Sequence, residues 1–317
     1  MRKAALLYNP DSGGSKQRQR ELESALAVLR TAGVEAELIP TRSPYHAVEE
    51  TRSAIDSGCD TVFACGGDGT IHNIVQVLAN SPTALAILPM GTANALAHDL
   101  DLPLRVVAAA KAALQAVPRR VALGRVNYVD LKGNPGSRYF VVAAGVGVDA
   151  HLFYKLHTGT KQRMGMAAYY AKAWNLWFSY PMPRFSAEHT PTGSDTSQHA
   201  EVTELMAVRI RNFGGVLQEL APGASLDRDD MRLVFCRTAS RAAYLAYVTR
   251  GLLRLPWTIP GIDLSHSTRV SCQYLSPPST PQQQRKIYVE ADGELLGTLP
   301  AEITVVPDAL TLLAPRR

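Results

Sequence analysis

Three glycines and one aspartate directly follow a buried-strand pattern near residue 60. The apolar stretch DTVFA (60–64) leads through Cys65 into GGDGT (66–70). Glycines let backbone N–H groups converge without a Cβ in the way, and such a nest binds phosphate oxygens. The helical pattern that follows adds the positive end of a helix dipole. Asp68 would instead hold a cation, a hydroxyl proton or a ribose hydroxyl, and phosphoryl transfer supplies the first two.

Taken alone, GGDGT is explained equally well as a tight strand–helix turn with a capping aspartate. Two further loops favour the phosphate interpretation: NPDSGG (9–14) follows the first strand pattern, and PMGTAN (89–94) follows a later one. Three loops of small and hydroxyl-bearing residues at one edge of a sheet fit a nucleotide triphosphate better than three unrelated turns. The chain has neither the GxxxxGK[ST] motif of a P-loop nor the GxGxxG dinucleotide fingerprint.

The first 120 residues alternate between strand and helix patterns. Strand patterns occupy residues 3–8, 34–40, 60–64 and 84–88. Helical patterns occupy residues 15–32, with Ser15 as N-cap and Gly33 as stop, 46–57, the stretch after GGDGT, and a stretch from Asn94. This order predicts an α/β domain with a parallel sheet over residues 1–120. The glycine loops would then lie at the carboxyl ends of strands, where open α/β sheets bind ligands.

After Arg119 the pattern changes to short alternating runs broken by Gly, Pro and Asn. This rhythm predicts an antiparallel, mostly β domain, interrupted by helices at 165–177 and 239–253. Residues 189–201 and 276–286 are turn-rich and are predicted to be loops. A length of 317 residues also favours two domains, because single cores stop growing at roughly 250–300 residues.

Composition narrows the classes of protein. The chain is 46% hydrophobic and 19% charged, with a mean hydropathy of −0.06, which is ordinary for a globular protein. Its net charge of +5 suits an anionic substrate or a lipid headgroup surface. No zinc or RNP pattern is present, so nucleic acid is not an expected partner.

Targeting and redox features predict a cytoplasmic protein. The four cysteines show no CxxC spacing and lie in or beside apolar segments, so we expect buried thiols in a reducing compartment. The apolar run near the start is too short for a signal peptide. The longest apolar stretch, residues 139–148, falls far short of the roughly 20 residues that a membrane-spanning helix needs.

The motifs together resemble the diacylglycerol kinase catalytic family, which includes sphingosine kinases, ceramide kinases and bacterial lipid kinases. NPDSGG, GGDGT, PMGTANALAHDLDLP (89–103) and ADGE (291–294) occur in that family's order and spacing. The resemblance extends over essentially the whole chain. GGDGT alone also occurs in NAD kinases, whereas the GTAN loop and the β-rich second half favour the lipid kinases.

The resemblance implies a fold, a reaction and partners. The fold would be an NAD kinase-like α/β domain (1–120) and an antiparallel β-sandwich (121–304), with residues 305–317 returning to the first domain and the active site between the two. The reaction would be ATP- and Mg²⁺-dependent phosphorylation of a hydroxyl on diacylglycerol, a sphingoid base or a related lipid alcohol. The implied partners are a lipid substrate, a transient contact with the membrane surface and, as an open alternative, a second copy of the chain.

Site residues are carried over by position from the family's motifs. Those that match its nucleotide site are Asn9, Pro10, Asp11, Ser12, Gly13, Thr41, Gly66, Gly67, Asp68, Gly69, Thr70, Thr92 and Asn94. Glu294 matches the family's proposed general base. Asp68 matches either the acid that sphingosine kinases use in that role or a residue that organises Mg²⁺, and both roles stay open. ADGE also reads as a hairpin turn, and a hairpin tip can present a carboxylate.

Two departures from the family pattern bear on activity. Asp230 matches a carboxylate that holds a structural Mg²⁺ with neighbouring carbonyls in bacterial relatives, but Met231 stands where a glycine is expected. A plain acidic turn is the alternative there. Asn73 stands where many relatives have glutamate, which would weaken contacts to Mg²⁺ or nucleotide. A nucleotide- or lipid-binding protein without catalysis, and a kinase of a soluble nucleotide, therefore remain as alternatives.

A basic and aromatic stretch at residues 160–185 is compatible with a lipid interface. A helix that packs on its own sheet explains it better. The histidines show no metal-binding spacing.

Overall fold

The structure, a computed structural model, describes residues 1–10, 16–151, 180–214, 219–275 and 286–316. The chain divides into two compact units. The first consists of Met1–Leu123, Asn212–Val216 and Val306–Arg317, and the second of Gly124–Arg211 and Leu217–Val305. The predicted helix at 165–177 and most of the loop predicted at 276–286 lie outside the described residues.

The first unit is built on a parallel sheet, as the sequence predicts. Its strands are β1 (Lys3–Tyr8), β2 (Glu35–Pro40), β3 (Thr61–Gly66), β4 (Ala84–Pro89) and the C-terminal part of β15 (Glu294–Ala314). The strand order is β15-β4-β3-β1-β2, and every neighbouring pair is parallel. Strands β3 and β4 are buried at every position, which explains why they read as continuous apolar runs.

Helices cover the sheet of the first unit. They are α1 (Lys16–Thr31), α2 (Pro44–Asp56), α3 (Asp68–Leu78), α4 (Ala95–Asp99) and α5 (Val106–Gln115). Helix α1 packs against α5, and α2 packs against α3. The apolar stripe of α1 is buried as its spacing predicts, and it shares a core with α5 and with alternate residues of β1, β3 and β4.

The second unit is antiparallel. Its strands are the part of β5 (Val117–Val129) that starts at Gly124, β6 (Pro135–Phe140), β7 (Ala143–Gly147), β8 (Phe185–His189), β9 (Gln198–Val202), β10 (Glu204–Val208), β11 (Met231–Cys236), β12 (Ile262–Ser267), β13 (Arg269–Tyr274), β14 (Tyr288–Ala291) and the first part of β15. One path of paired strands runs β12-β11-β10-β7-β14-β15, and a second runs β15-β13-β8-β9. Their inner faces enclose one apolar core.

Two local predictions for the second unit can be compared with the structure. The helix expected at 239–253 is present as α6 (Arg241–Leu253), with the Ser240 side chain as its N-cap. The prediction of a loop at 189–201 is wrong at the C-terminal end of that range, because Gln198–Val202 forms strand β9 and pairs with β8. Cross-strand pairing outweighs the polar composition of that stretch.

None of the helices in the described ranges is long and apolar enough to cross a membrane.

Candidate active site

The loops GGDGT and PMGTAN meet at the carboxyl ends of β3 and β4. A Cβ placed on Gly67 would lie 3.0 Å from Gly91 Cα, and one placed on Gly91 would lie 2.5 Å from Gly67 Cα. The Met90 N–H also donates to the Gly66 carbonyl at 2.9 Å. Only residues without side chains permit so close an approach, so these glycines are explained by contact between the two loops.

Helix α3 begins inside GGDGT. Gly67 is its N-cap residue in an extended conformation, and Asp68 occupies its first turn. A Cβ on Gly66 would lie 2.2 Å from Thr70 Oγ1, so the Thr70 hydroxyl lies over the Gly66 backbone. The loop therefore combines a helix N-terminus, a hydroxyl and a carboxylate within five residues, which suits an anion accompanied by a cation.

Asn94 shapes the second loop. Its side chain accepts a hydrogen bond from the Gly91 N–H at 2.8 Å and donates to the Gly91 carbonyl at 3.0 Å. Asn94 has a φ of 49°, a left-handed conformation that asparagine tolerates better than most residues. The amide of Asn94 is thus occupied in folding the loop that carries Thr92, and Asn94 is 9% exposed.

The other predicted nucleotide residues lie at the end of β1. The Thr41 N–H and hydroxyl both donate to the Tyr8 carbonyl, at 2.7 and 3.1 Å, which places Thr41 beside the start of NPDSGG. Asn9 and Pro10 directly follow β1. Asp11, Ser12 and Gly13 lie outside the described residues.

A cavity of about 730 Å³ opens beside Thr92 and Asn94 within the first unit. Its lining includes three basic side chains, Arg18, Arg105 and Lys111, and one acidic side chain, that of Glu21. Its volume falls in the range of small-molecule sites, and its excess of positive charge favours an anion. The sequence analysis missed these basic residues. The only available indication was that Arg18 lies in the first turn of the helix after NPDSGG.

Asn73 does not point away from its own helix. Its amide donates to the Gly69 carbonyl one turn earlier, at 2.9 Å. Asn73, which stands where the family resemblance leads one to expect a glutamate, is therefore used here to close the first turn of α3.

Glu294 lies at the end of the β14–β15 hairpin, opposite Ala291. Asp292 and Gly293 form the turn with φ values of 50° and 81°, as a two-residue Asp-Gly hairpin requires.

The Asp292 carboxylate accepts hydrogen bonds from three consecutive amides, those of residues 141–143, at 2.9–3.2 Å. Glu290 Oε2 accepts from the Gly293 N–H at 2.8 Å. The tip that carries the half-buried Glu294 is therefore held from both sides.

The buried Glu204 and Glu290 and the half-buried Asp149 cluster in the same unit. Glu204 Oε2 accepts hydrogen bonds from the N–H groups of Val148 and, at 3.2 Å, of Asp149. Burial raises the pKa of Asp149, and burial together with the charge of Asp149 raises the pKa of both Glu204 and Glu290. The Asp149 and Glu204 carboxyls contact each other, so we expect one proton to be shared between them at neutral pH.

Glycines explain how these acids fit. A Cβ on Gly145 would lie 2.1 Å from Asp149 Oδ2, and one on Gly147 would lie 3.0 Å from Glu204 Oε2. In the sequence, residues 139–148 stand out only as an apolar run. Nothing in that pattern indicates that Gly145 and Gly147 make room for carboxyl groups.

Asp230, the predicted metal ligand, is surrounded by donors. Arg228 donates to both of its oxygens at 2.6 Å, Thr192 Oγ1 donates to Oδ2 at 3.0 Å, and His266 Nδ1 lies 3.2 Å from Oδ1. Burial alone would raise the pKa of Asp230, but these donors and the nearby positive charges hold it below its usual value. No group of three or more His, Cys, Asp or Glu side chains in the part of the chain described could hold a metal ion.

Comparisons with known proteins agree on one family. The model of the diacylglycerol kinase catalytic domain matches residues 3–126. A diacylglycerol kinase of Bacillus subtilis (strain 168) is 27% identical over 320 residues, covering 100% of this chain and 97% of the relative. One from Staphylococcus aureus (strain bovine RF122 / ET3-1) is 25% identical, covering 99% of this chain and 93% of the relative.

Solved structures share the fold. A diacylglycerol kinase structure from Bacillus anthracis str. Sterne superposes with a TM-score of 0.68 at 16% identity, covering 99% of this chain and 96% of that one. Yeast NADH kinase complexed with NADH superposes with a TM-score of 0.50 at 8% identity, covering 100% of this chain and 84% of that one. The predicted NAD kinase-like fold is therefore confirmed. The chain is thus similar to the diacylglycerol kinases: its residues 3–126 match the model of their catalytic domain, and relatives of that one name match along its full length.

Proposed function

We propose that this protein is an ATP-dependent lipid kinase that transfers the γ-phosphoryl group to a hydroxyl of diacylglycerol or a related lipid alcohol. The observation that carries the proposal is the contact between Gly67 and Gly91 beside a basic cavity. It forms a site for an anionic ligand where α/β sheets bind nucleotides. The relatives named diacylglycerol kinase supply the acceptor class.

The nucleotide would lie against the two glycine loops. Backbone N–H groups at the start of α3 face its phosphates, and the Thr70 and Thr92 hydroxyls add donors. Arg18, Arg105 and Lys111 attract the triphosphate to the cavity. Such a site works mainly by positioning and by stabilising charge, as phosphoryl transfer requires.

Asp68 fits the role of Mg²⁺ ligand. It is a hard oxygen donor in the first turn of α3, directly beside the glycine contact where phosphates would bind. The Mg²⁺ that accompanies ATP would neutralise charge that develops on the phosphate oxygens. Asp68 would hold and orient that ion, while the glycine backbone holds the phosphates.

Glu294 is the proposed general base. As the acceptor oxygen forms its bond to the γ-phosphorus and the bond to the leaving ADP oxygen breaks, the hydroxyl proton passes to the Glu294 carboxylate. The hydrogen bonds of Asp292 and Glu290 hold the hairpin that carries it. A fixed carboxylate is more effective than a mobile one because less ordering is needed during the reaction.

The acceptor resides in a membrane, so we propose a transient contact of a cytoplasmic protein with the membrane surface. The net charge of +5 favours an anionic surface. A sphingoid base remains the second candidate acceptor. Binding without catalysis has less support, because the Asn73 amide is used within α3 and both proposed functional carboxylates, Asp68 and Glu294, are present.

The test is phosphate transfer from γ-labelled ATP with Mg²⁺ to mixed micelles that contain diacylglycerol, sphingosine or ceramide. Label in the organic phase with diacylglycerol supports the proposal, and label with sphingosine alone would change the acceptor. No label in the organic phase with any of these lipids would contradict the proposal, and transfer of label to NAD added in place of lipid would indicate a soluble nucleotide acceptor.

The proposed roles are tested with Glu294→Gln and Asp68→Asn. We expect Glu294→Gln to lower kcat by about 100- to 10,000-fold, because general-base catalysis contributes that much. The matched control is Asp263→Asn, an exposed carboxylate paired with Arg237 at 3.4 Å, which should keep full activity. Full turnover by both Glu294→Gln and Asp68→Asn would overturn the mechanism.

A further inference from the structure

A buried arginine lies next to the predicted metal ligand in the second unit. Arg209 is 0% exposed and is among the largest fully buried side chains of the described residues. Its Nη1 donates to the Arg228 carbonyl at 2.8 Å and to the Asp230 carbonyl. Burial lowers the pKa of Arg209 to about 10, so the guanidinium stays charged at neutral pH.

These carbonyls are the type of ligand that a structural Mg²⁺ would use there. Mg²⁺ needs oxygen ligands in near-octahedral geometry at roughly 2.0–2.1 Å. Here two main-chain oxygens already accept hydrogen bonds from a guanidinium, which supplies the positive charge that a metal ion would otherwise supply.

The carboxylate of Asp230 is occupied as well. Arg228 binds both of its oxygens in a fork, with both distances at 2.6 Å. The Asp230 side chain is only 5% exposed, so a metal could reach it only by displacing Arg228. A buried carboxylate with a bidentate arginine has its hydrogen-bonding capacity met without a metal.

Met231 fits the same arrangement. It is 0% exposed, begins β11, and packs in the apolar core of the unit. Met231 stands where the family resemblance leads one to expect a glycine, and the chain passes directly from Asp230 into this buried strand residue. The departure from the expected pattern therefore accompanies a turn that is held by arginines.

We propose that Arg209 and Arg228 replace the structural metal, so that the turn at residues 228–230 is held by the chain's own guanidinium groups and requires no divalent cation. Arg209 binds the carbonyls and Arg228 binds the carboxylate. The site does not fit the Mg²⁺ that the family resemblance implies. This inference is independent of the proposed kinase activity.

The test is thermal unfolding of the full chain without nucleotide, in EDTA and in MgCl₂. We expect the wild-type midpoint to be the same in both, and metal analysis after dialysis to find no retained Mg²⁺. A midpoint that falls in EDTA and is restored by Mg²⁺, or one Mg²⁺ per chain after dialysis, would overturn the proposal.

Variants test the role of each arginine. Arg209→Met removes a buried charge from its acceptors, and we expect its midpoint to fall by roughly 6 °C or more. Arg228→Ala, whose side chain is 44% exposed, should fold with a smaller loss and still show no response to Mg²⁺. The control Arg237→Met removes an arginine that is 51% exposed and should change little. An Arg209→Met variant as stable as the wild type would contradict the proposal.

Discussion

The two units of this protein treat charge in opposite ways. In the first, basic side chains line a cavity of about 730 Å³, and glycines remove side chains from the loops beside it. In the second, the buried Arg209 donates to the main-chain carbonyls of Arg228 and Asp230. The buried carboxylate of Asp230 accepts hydrogen bonds from the Arg228 side chain. Charges held open favour a ligand from outside, whereas charges satisfied internally stabilise the fold. We therefore expect different roles for two aspartates that the motifs single out: Asp68 would serve a ligand, whereas Asp230 stabilises the fold.

Disrupting the contact between Gly67 and Gly91 in the first unit should have the largest effect on activity. Gly91→Ala places a Cβ 2.5 Å from Gly67 Cα, so the two loops must separate. We expect kcat/KM to fall about 100-fold, since displacing bound groups by about 1 Å has effects of that size. The control Gly133→Ala has a φ of 94° but open space around its Cβ. It should lower stability slightly and leave activity intact. Equal activity losses in both variants would show that the contact has no special role.

Removing positive charge from the cavity should have a smaller effect. In the double variant Arg105→Gln, Lys111→Gln, we expect KM for ATP to rise roughly 3- to 10-fold with kcat little changed, because exposed charges each contribute modestly. The rise should shrink at high salt. The matched double variant Lys132→Gln, Arg138→Gln, on the β5–β6 hairpin, should leave KM unchanged. A loss of kcat with constant KM would contradict a binding role.

The carboxyl cluster of the second unit should make folding stability depend on pH, which tests the second half of the comparison. Glu204 faces Asp149, Cys236, Tyr180 and Tyr244 and has a raised pKa in the folded state. As pH rises above the unfolded value, the unfolded chain releases a proton that the folded chain keeps, so the wild type loses stability.

In Glu204→Gln the part of this dependence that Glu204 contributes should disappear, because an amide does not titrate. We expect the midpoint of Glu204→Gln relative to wild type to increase from pH 5 to pH 8, measured by thermal unfolding. Glu201→Gln, an exposed carboxylate whose nearest Arg184 nitrogen lies 3.9 Å away, is the control and should show a constant difference. A constant difference for Glu204→Gln as well would contradict the shared proton.

Local patterns predicted most of the parallel sheet because β1–β4 and the helices between them follow one another within the first 120 residues. The last strand of the sheet, the C-terminal part of β15, is distant in sequence and was expected only from the family resemblance. Residues 60–70 contain a buried strand, its turn and the start of the next helix, so the turn could be located with no knowledge of the fold, and the two companion loops made it a candidate phosphate loop.

Arg209 could not be identified in this way. It sits in the alternating sequence AVRIRN, and its carbonyl partners are 19 and 21 residues away. The contact of Asn212 with Asp99 is equally non-local, because the Asn212 N–H donates to Asp99 Oδ1 across 113 residues. That hydrogen bond belongs to the first unit, and single-sequence patterns carry no information about such returns.

Strand β15 has a consequence for biosynthesis. Its Thr311 and Leu312 pair with Ala84 and Leu85 of β4, so the first sheet is completed by residues that are made 227 positions later. At a translation rate of roughly 5–20 residues per second, β4 would wait about ten seconds or more with an unpaired edge after it is made. Unpaired edges promote aggregation. The nascent chain therefore passes through a stage in which β1–β4 have been synthesised but the edge of their sheet is open, until the ribosome reaches the end of β15.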